Sequence, residues 1–325
     1  MMTSIPRRKL VFGLPALTLA GALRPAAAQT QGTVRMVVGF PPGGGADRAT
    51  RLIAEKLAPE LGTTVIVDNR PGAGGTIAAD YVRGAPADGL TIFTGGTHTM
   101  VVAPLTLKTV RYLPMRDFKP LGITNRSWLG LAVPASGPPT LDAWLRASRA
   151  QPQKAACGIP AVGSLPELIL IQLGTEVGVP FVMVPYRGAA PLVTDLVGGQ
   201  VPAALTSIQD YVAHHRDGRI RVLAVTGDSR AAPLPDVPTF KESGIKGFER
   251  LDWGGPFVRA DTPEPIAERL ERAFAKVLTL PEIVKALTEM GVLPAYSDAA
   301  AARRLVESDT AHWSAVIKAS GYVPQ

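Results

Sequence analysis

Val34-Arg35-Met36-Val37-Val38-Gly39-Phe40-Pro41-Pro42-Gly43-Gly44-Gly45-Ala46-Asp47 is a short apolar run that breaks into prolines and glycines. The β-branched residues predict a strand from Val34 to Phe40. Beyond the glycines, Ala49, Leu52, Ile53 and Leu57 share one helical face. Asp47 falls in the first turn of that helix, where a carboxylate suits the dipole, and is expected to brace it. The pattern then recurs. Thr64 to Val67 runs into Asp68-Asn69-Arg70-Pro71-Gly72-Ala73-Gly74-Gly75 and a helix carrying Ile77, Tyr81 and Val82. Leu90 to Phe93 runs into Thr94-Gly95-Gly96-Thr97-His98-Thr99. Three strands that each end in a loop of glycines or hydroxyls predict an α/β fold. In such folds ligands sit beyond the carboxyl ends of the strands.

The theme continues along the chain. Trp128 to Val133 reads as a strand and Leu141 to Ala150 as a helix. Cys157-Gly158-Ile159-Pro160-Ala161-Val162-Gly163 reads as a loop opening a helix at Ser164. Phe181 to Val184, Ala203 to Ser207, Ile220 to Thr226 and Asp252 to Val258 are further strands. Ala231 to Pro238 reads as a proline-rich surface connection. Thr262-Pro263 reads as a helix cap, and a last helix covers about Asp298 to Lys318.

Composition narrows the function. The 325 residues are 46% hydrophobic, with 34 Lys+Arg against 27 Asp+Glu and one cysteine. That supports a large folded core and excludes a disulfide framework or a cysteine-rich metal site. Arg7, Arg8, Lys9 and Arg24 supply four of the basic residues, and residues 1–28 hold no acid. The remainder is close to neutral, which argues against an electrostatic nucleic-acid binder. Arg7-Arg8-Lys9, the apolar stretch Leu10 to Leu23, and Ala26-Ala27-Ala28 together read as an export signal cleaved near Ala28. The adjacent arginines fit the twin-arginine route and an ordinary secretory signal equally well. No later run is long enough to span a bilayer, so a soluble periplasmic protein is expected.

The combined pattern resembles the substrate-binding receptors of tripartite tricarboxylate transporters, the Bordetella uptake gene family. The matching segments are residues 37–47, 67–75, Ala85-Pro86-Ala87-Asp88-Gly89, Val184-Pro185-Tyr186-Arg187-Gly188, Leu196-Val197-Gly198-Gly199-Gln200-Val201 and Leu234-Pro235-Asp236-Val237-Pro238-Thr239. They occur in the family's order across nearly the whole mature chain. The resemblance implies a two-lobed α/β fold of the type II periplasmic-binding-protein ("Venus flytrap") kind. One lobe would be residues 29–125 with 223–325, and the inserted lobe residues 126–222. It implies a monomer that takes a small di-, tri- or aromatic carboxylate, needs no cofactor or metal, and docks on a membrane permease.

Phe40-Pro41-Pro42-Gly43-Gly44-Gly45 can cradle a carboxylate, because glycine lets the backbone approach and a helix start presents free N–H groups. A plain strand-to-helix turn explains the same residues. The spacing fits neither a dinucleotide fingerprint nor a Walker A loop. The resemblance adds backbone contacts from Gly74 and Gly75 and the Thr76 hydroxyl. Of the pair after the third strand, Thr97 is expected at the pocket ahead of His98. His98 shows no partner for catalysis, nor any ligand spacing with the other histidines. Ala161, Gly163 and Ser164 form a helix start that, by the resemblance, holds a ligand carboxylate. Ser164 with Glu167 also makes a capping box, a purely structural alternative. Glu167 puts a negative charge at this mouth and argues against highly charged anions. Arg187 can meet a carboxylate or brace its loop. Thr206 stands where many members carry Asp, which disfavours amino acids unless Asp210 compensates. Phe40, Val162 and Trp253 can line an apolar wall or simply pack in the core. The rival readings are a sensing receptor without transport, and a periplasmic hydrolase using Ser164 and His98. No G-x-S-x-G elbow supports the hydrolase.

Overall fold

The computed structural model describes residue 1 and residues 32–325; the expected export signal lies outside the described residues. In chain order the strands and helices begin with β1 (Val34–Val38), α1 (Gly45–Leu61), β2 (Val65–Asn69), α2 (Thr76–Arg83) and β3 (Thr91–Gly96). A single π-helical turn, His98–Val102, leads into the short α3 (Ala103–Thr106) and α4 (Pro114–Asp117). Then come β4 (Phe118–Pro120), β5 (Ile123–Ser127), β6 (Leu129–Pro134), α5 (Leu141–Ala150), β7 (Ala156–Ile159) and α6 (Leu165–Val177). β8 (Val182–Pro185), α7 (Ala189–Val197), β9 (Ala204–Ser207), α8 (Val212–Arg216) and β10 (Ile220–Val225) follow. The chain ends with β11 (Asp252–Arg259), α9 (Glu264–Leu278), α10 (Pro281–Glu289), β12 (Leu293–Ser297) and α11 (Ala299–Ser320).

Among the described residues these strands form two sheets. The first is ordered β12-β5-β11-β3-β1-β2, with β4 also paired to β11. The second is ordered β10-β6-β9-β7-β8. β1 is parallel to β2 and β3, and β7 is parallel to β8 and β9; the remaining pairs are antiparallel. The chain leaves the first sheet after Ser127 and returns after Val225. The two crossing points are bonded to each other: Leu129 N–H donates to Thr226 Oγ1 at 2.9 Å, and Thr226 N–H donates to Leu129 O at 2.9 Å.

Helices cover both faces of each sheet, as parallel strands require. Ile53, Leu57, Leu270 and Phe274 of α1 and α9 pack on one face of the first sheet. Leu192, Leu196 and Val212 of α7 and α8 cover one face of the second. A third cluster is continuous between the sheets. It joins Val37 and Phe93 to Leu131 and Ile159 through Leu168 of α6 and Val306 and Trp313 of α11.

Several local expectations need correction. Gly95 and Gly96 belong to β3 rather than to a loop, because they pair with Gly255 and Gly254 of β11. Residues 156–159 form β7, whose glycine hid its β character. β12 was not anticipated; Pro294 interrupts its pattern. Ala231, Leu234 and Val237 are buried under the second sheet rather than lying on the surface. Thr262 does not cap α9, whose cap residue is Pro263 with no side-chain bond. No helix among the described residues is long and apolar enough to cross a membrane.

Candidate functional site

Parallel pairing puts the carboxyl ends of β1, β2 and β3 on one edge. The loops after them interlock. A side chain at Gly39 would collide with the backbone of Gly75, so the first two loops can touch only through glycine. Asp47, 2% exposed, organises the first loop. It accepts from Gly43 N–H at 2.8 Å, Asn69 Nδ2 at 2.9 Å and Arg51 Nε at 3.1 Å. Burial opposes its charge, but these bonds outweigh burial and hold the carboxyl below the usual range. The bracing role read from the sequence is what the bonds describe. Gly43 N–H donates to Asp47, and its carbonyl accepts from Arg48 at 2.8 Å. Gly44 N–H makes a long turn bond to Pro41 O at 3.4 Å, and its carbonyl accepts from Arg48 N–H at 3.0 Å. Phe40 is exposed at the strand end, and Asn69 Nδ2 donates to its carbonyl at 3.1 Å.

Gly74 adopts φ +64° and lies directly against His98 Nε2, where any side chain would collide. Gly75 lies against Thr99 in the same way, and the Thr76 hydroxyl donates to Ala73 O at 3.0 Å. Burial lowers the His98 pKa to about 4, so the ring is neutral at physiological pH. Its Nδ1 is buried with no partner. Thr97 is bonded within the protein. Its hydroxyl accepts from Trp253 N–H at 3.1 Å and interacts with Asp252, which ties it to β11. Trp253 is core, 2% exposed, with Nε1 donating to Asp309 at 2.8 Å.

The second sheet repeats the arrangement, with the carboxyl ends of β7, β8 and β9 on one edge. Tyr186 N–H donates to Ile159 O at 2.9 Å and Gly188 N–H to Pro160 O at 2.8 Å, so the loops after β7 and β8 run side by side. Ala161 and Val162 are half-buried between them, and Arg187 is exposed with no acid paired to it. The capping box forms by half. Glu167 accepts from Gly163 N–H at 2.6 Å and from Ser164 N–H. The Ser164 hydroxyl makes no cap bond. That residue is 5% exposed and its Oγ has no partner at all. Burial raises the Glu167 carboxyl above its usual range, against the pull of the two N–H groups and the Tyr322 hydroxyl. Thr206 Oγ1 donates to Asp210 Oδ2 at 3.1 Å. Burial lifts Asp210 to about 6, with Thr206 and Arg48 pulling it down.

The two edges face each other. Gln209 Oε1 lies against Gly45 at the start of α1, and Arg48 of α1 acts on Asp210. Thr106 Oγ1 donates to Gly163 O at 3.1 Å. The chain end joins the seam: Gln325 N–H donates to Thr106 O at 2.8 Å and Lys108 N–H to Gln325 O at 2.6 Å. Gln209, Arg48, Thr106 and Tyr322 were not read from the sequence. None has a local signal, since each matters only through a residue brought from the other sheet or from the far end of the chain. Two hollows lie elsewhere. One, about 10 Å³, is lined by Gln172, Arg250 and His312; the other, about 280 Å³, by Arg216, Pro233 and Glu289. Neither touches the loops described above.

Comparison with known proteins places these features. The family described as "Tripartite tricarboxylate transporter family receptor" matches residues 49–322. A protein of Pseudomonas sp. (strain P51), named for the tcbD-tcbE intergenic region, is 33% identical over 97% of this chain and 95% of its own. R. palustris Rpa4515, solved with adipate, is 33% identical, with a TM-score of 0.84 over 90% of this chain and 98% of that one. Periplasmic binding protein BugD is 29% identical, with a TM-score of 0.82 over 90% and 99%. The two-sheet architecture is thus that of the two-lobed periplasmic binding proteins.

Proposed function

The chain belongs to the receptors of the tripartite tricarboxylate transporter family, and from that membership we propose that it captures a small organic carboxylate between its lobes and presents the closed form to a membrane permease. The similar protein solved with adipate supports a carboxylate as the ligand class. The observation that carries the reading is the Ser164 hydroxyl, 5% exposed and without a partner at the seam of the two strand edges. A buried hydroxyl that nothing in the protein satisfies is costly unless a ligand or water completes it.

The lobes follow the sheets: residues 29–125 with 223–325, and residues 126–222. The change of sheet after Ser127 and after Val225 supports this division. The reciprocal bonds of Leu129 and Thr226 tie the two crossings together, and they are the natural pivot. A ligand that touches both edges only when they are close shifts the population toward the closed form.

The receptor works in the periplasm after removal of residues 1–28, as a monomer and without catalysis. His98 supports the last point, because its Nδ1 has no acid behind it to orient the ring as a general base. Calorimetry with a panel of mono-, di- and tricarboxylates, aromatic acids included, tests the reading. Saturable binding of at least one acid is expected. Binding of none, or turnover of an ester substrate, overturns it.

A further inference from the structure

The residues at the start of α6 bear on which acids the cleft admits, given the carboxylate reading above. The first amides of a helix attract anions, because their N–H groups are unpaired and the dipole favours negative charge. In α6 the chain sets a carboxylate of its own beside that place. Glu167 takes the N–H groups of Gly163, at 2.6 Å, and Ser164. Pro166 supplies no N–H in the same turn. The carboxylate is 9% exposed, so water screens it poorly. Tyr322 faces it, and Gln325 is bonded to Thr106 and Lys108 on the opposite side of the seam.

The cations at the loops point the same way. Arg48 donates to Gly43 O and faces Asp210. Arg51 is committed to Asp47 and Asn69, and Arg70 to Asp68 while stacked over Tyr81. His98 is neutral. Arg187 has no acid or hydrogen-bond partner among the described residues.

We propose that this receptor selects an acid with a single ionised carboxylate, and that the ligand's other end presents an uncharged polar group to Ser164 and Glu167 at the start of α6. A second carboxylate placed there would meet Glu167 in a poorly screened setting. A hydroxyl, carboxamide or un-ionised acid would complete the unpartnered Ser164 Oγ without that repulsion. Glu167 is thus a specificity-determining residue.

The test compares matched pairs of equal length by calorimetry near neutral pH: succinate with succinamate, glutarate with glutaramate, adipate with adipamate. For the native chain, the monoamide of the best-binding pair is expected to bind at least about tenfold tighter than the diacid. In Glu167→Gln the ratio should move at least about fivefold toward the diacid. A native chain that binds the diacid as tightly as the monoamide overturns the proposal. So does a smaller shift of the ratio in the variant. Should Glu167→Gln fail to fold, the native ratio alone decides. Binding of other carboxylates but of no member of these pairs moves the comparison to the acid that binds and its monoamide. Binding of no carboxylate at all removes the parent reading instead, and this one with it.

Discussion

Glu167 accepts from the amide of Gly163 at 2.6 Å, one residue before the cap of α6, while the Ser164 hydroxyl makes no cap bond. A sequence motif with two reciprocal bonds is realised with one side of the exchange only. The hydroxyl left over becomes available for other work.

Ser164→Ala should therefore separate the two roles. With no cap bond to lose, unfolding free energy should change by less than about 0.5 kcal/mol, against the ~1 kcal/mol that a broken N-cap costs. Affinity for the bound acid should fall roughly tenfold, the worth of one hydrogen bond in a desolvated site. Thermal unfolding and calorimetry on the same preparation check both. A variant that loses stability and keeps its affinity would mark Ser164 as structural.

Gly74→Ala should destabilise the protein by about 2 kcal/mol, from the strain of a left-handed backbone plus the collision with His98 Nε2. The collision is a pairwise effect. Adding His98→Ala should recover part of the loss, and a double-mutant cycle reads the coupling. Strict additivity would mean that the ring and the loop do not touch.

Asp210 should leave a mark on the pH dependence of stability. Burial raises its folded pKa to about 6 from 3.8, so the folded protein holds this proton more tightly than the unfolded chain. Stability then declines as pH climbs from about 4 to about 6, and this group adds no further change above that. Asp210→Asn should be more stable than the parent at about pH 8, with the difference vanishing toward about pH 4. Asp252, also raised to about 6 by burial, keeps part of the slope in the variant. Denaturant titrations across that range check the sign. An asparagine variant less stable at the alkaline end would reverse the assignment.

Much of the first lobe was legible because its signals are local. β1, its glycine turn, α1 and the bracing role of Asp47 can all be read within residues 34–57. The errors have a common origin in partners distant in sequence. Gly95 and Gly96 look like loop, yet β11 pairs with them across about 160 residues. Thr97 reads as a loop hydroxyl, and nothing nearby in sequence announces its partners Trp253 and Asp252. Composition and spacing favour a hydroxyl or glycine at a strand end without saying which neighbour will use it.

The interleaving of the first sheet fixes an order of assembly. Residues 34–96 lay down β2, β1 and β3, but β11, which lies against β3, arrives only with residues 252–259. Until then β3 keeps an unsatisfied row of backbone donors and acceptors, the kind of ladder that recruits other chains. The second sheet, built from residues 129–225 without interruption, can complete itself first. A chain cut short before Asp252 would therefore pair a finished half with a sticky one, and clumping rather than partial activity is its natural fate.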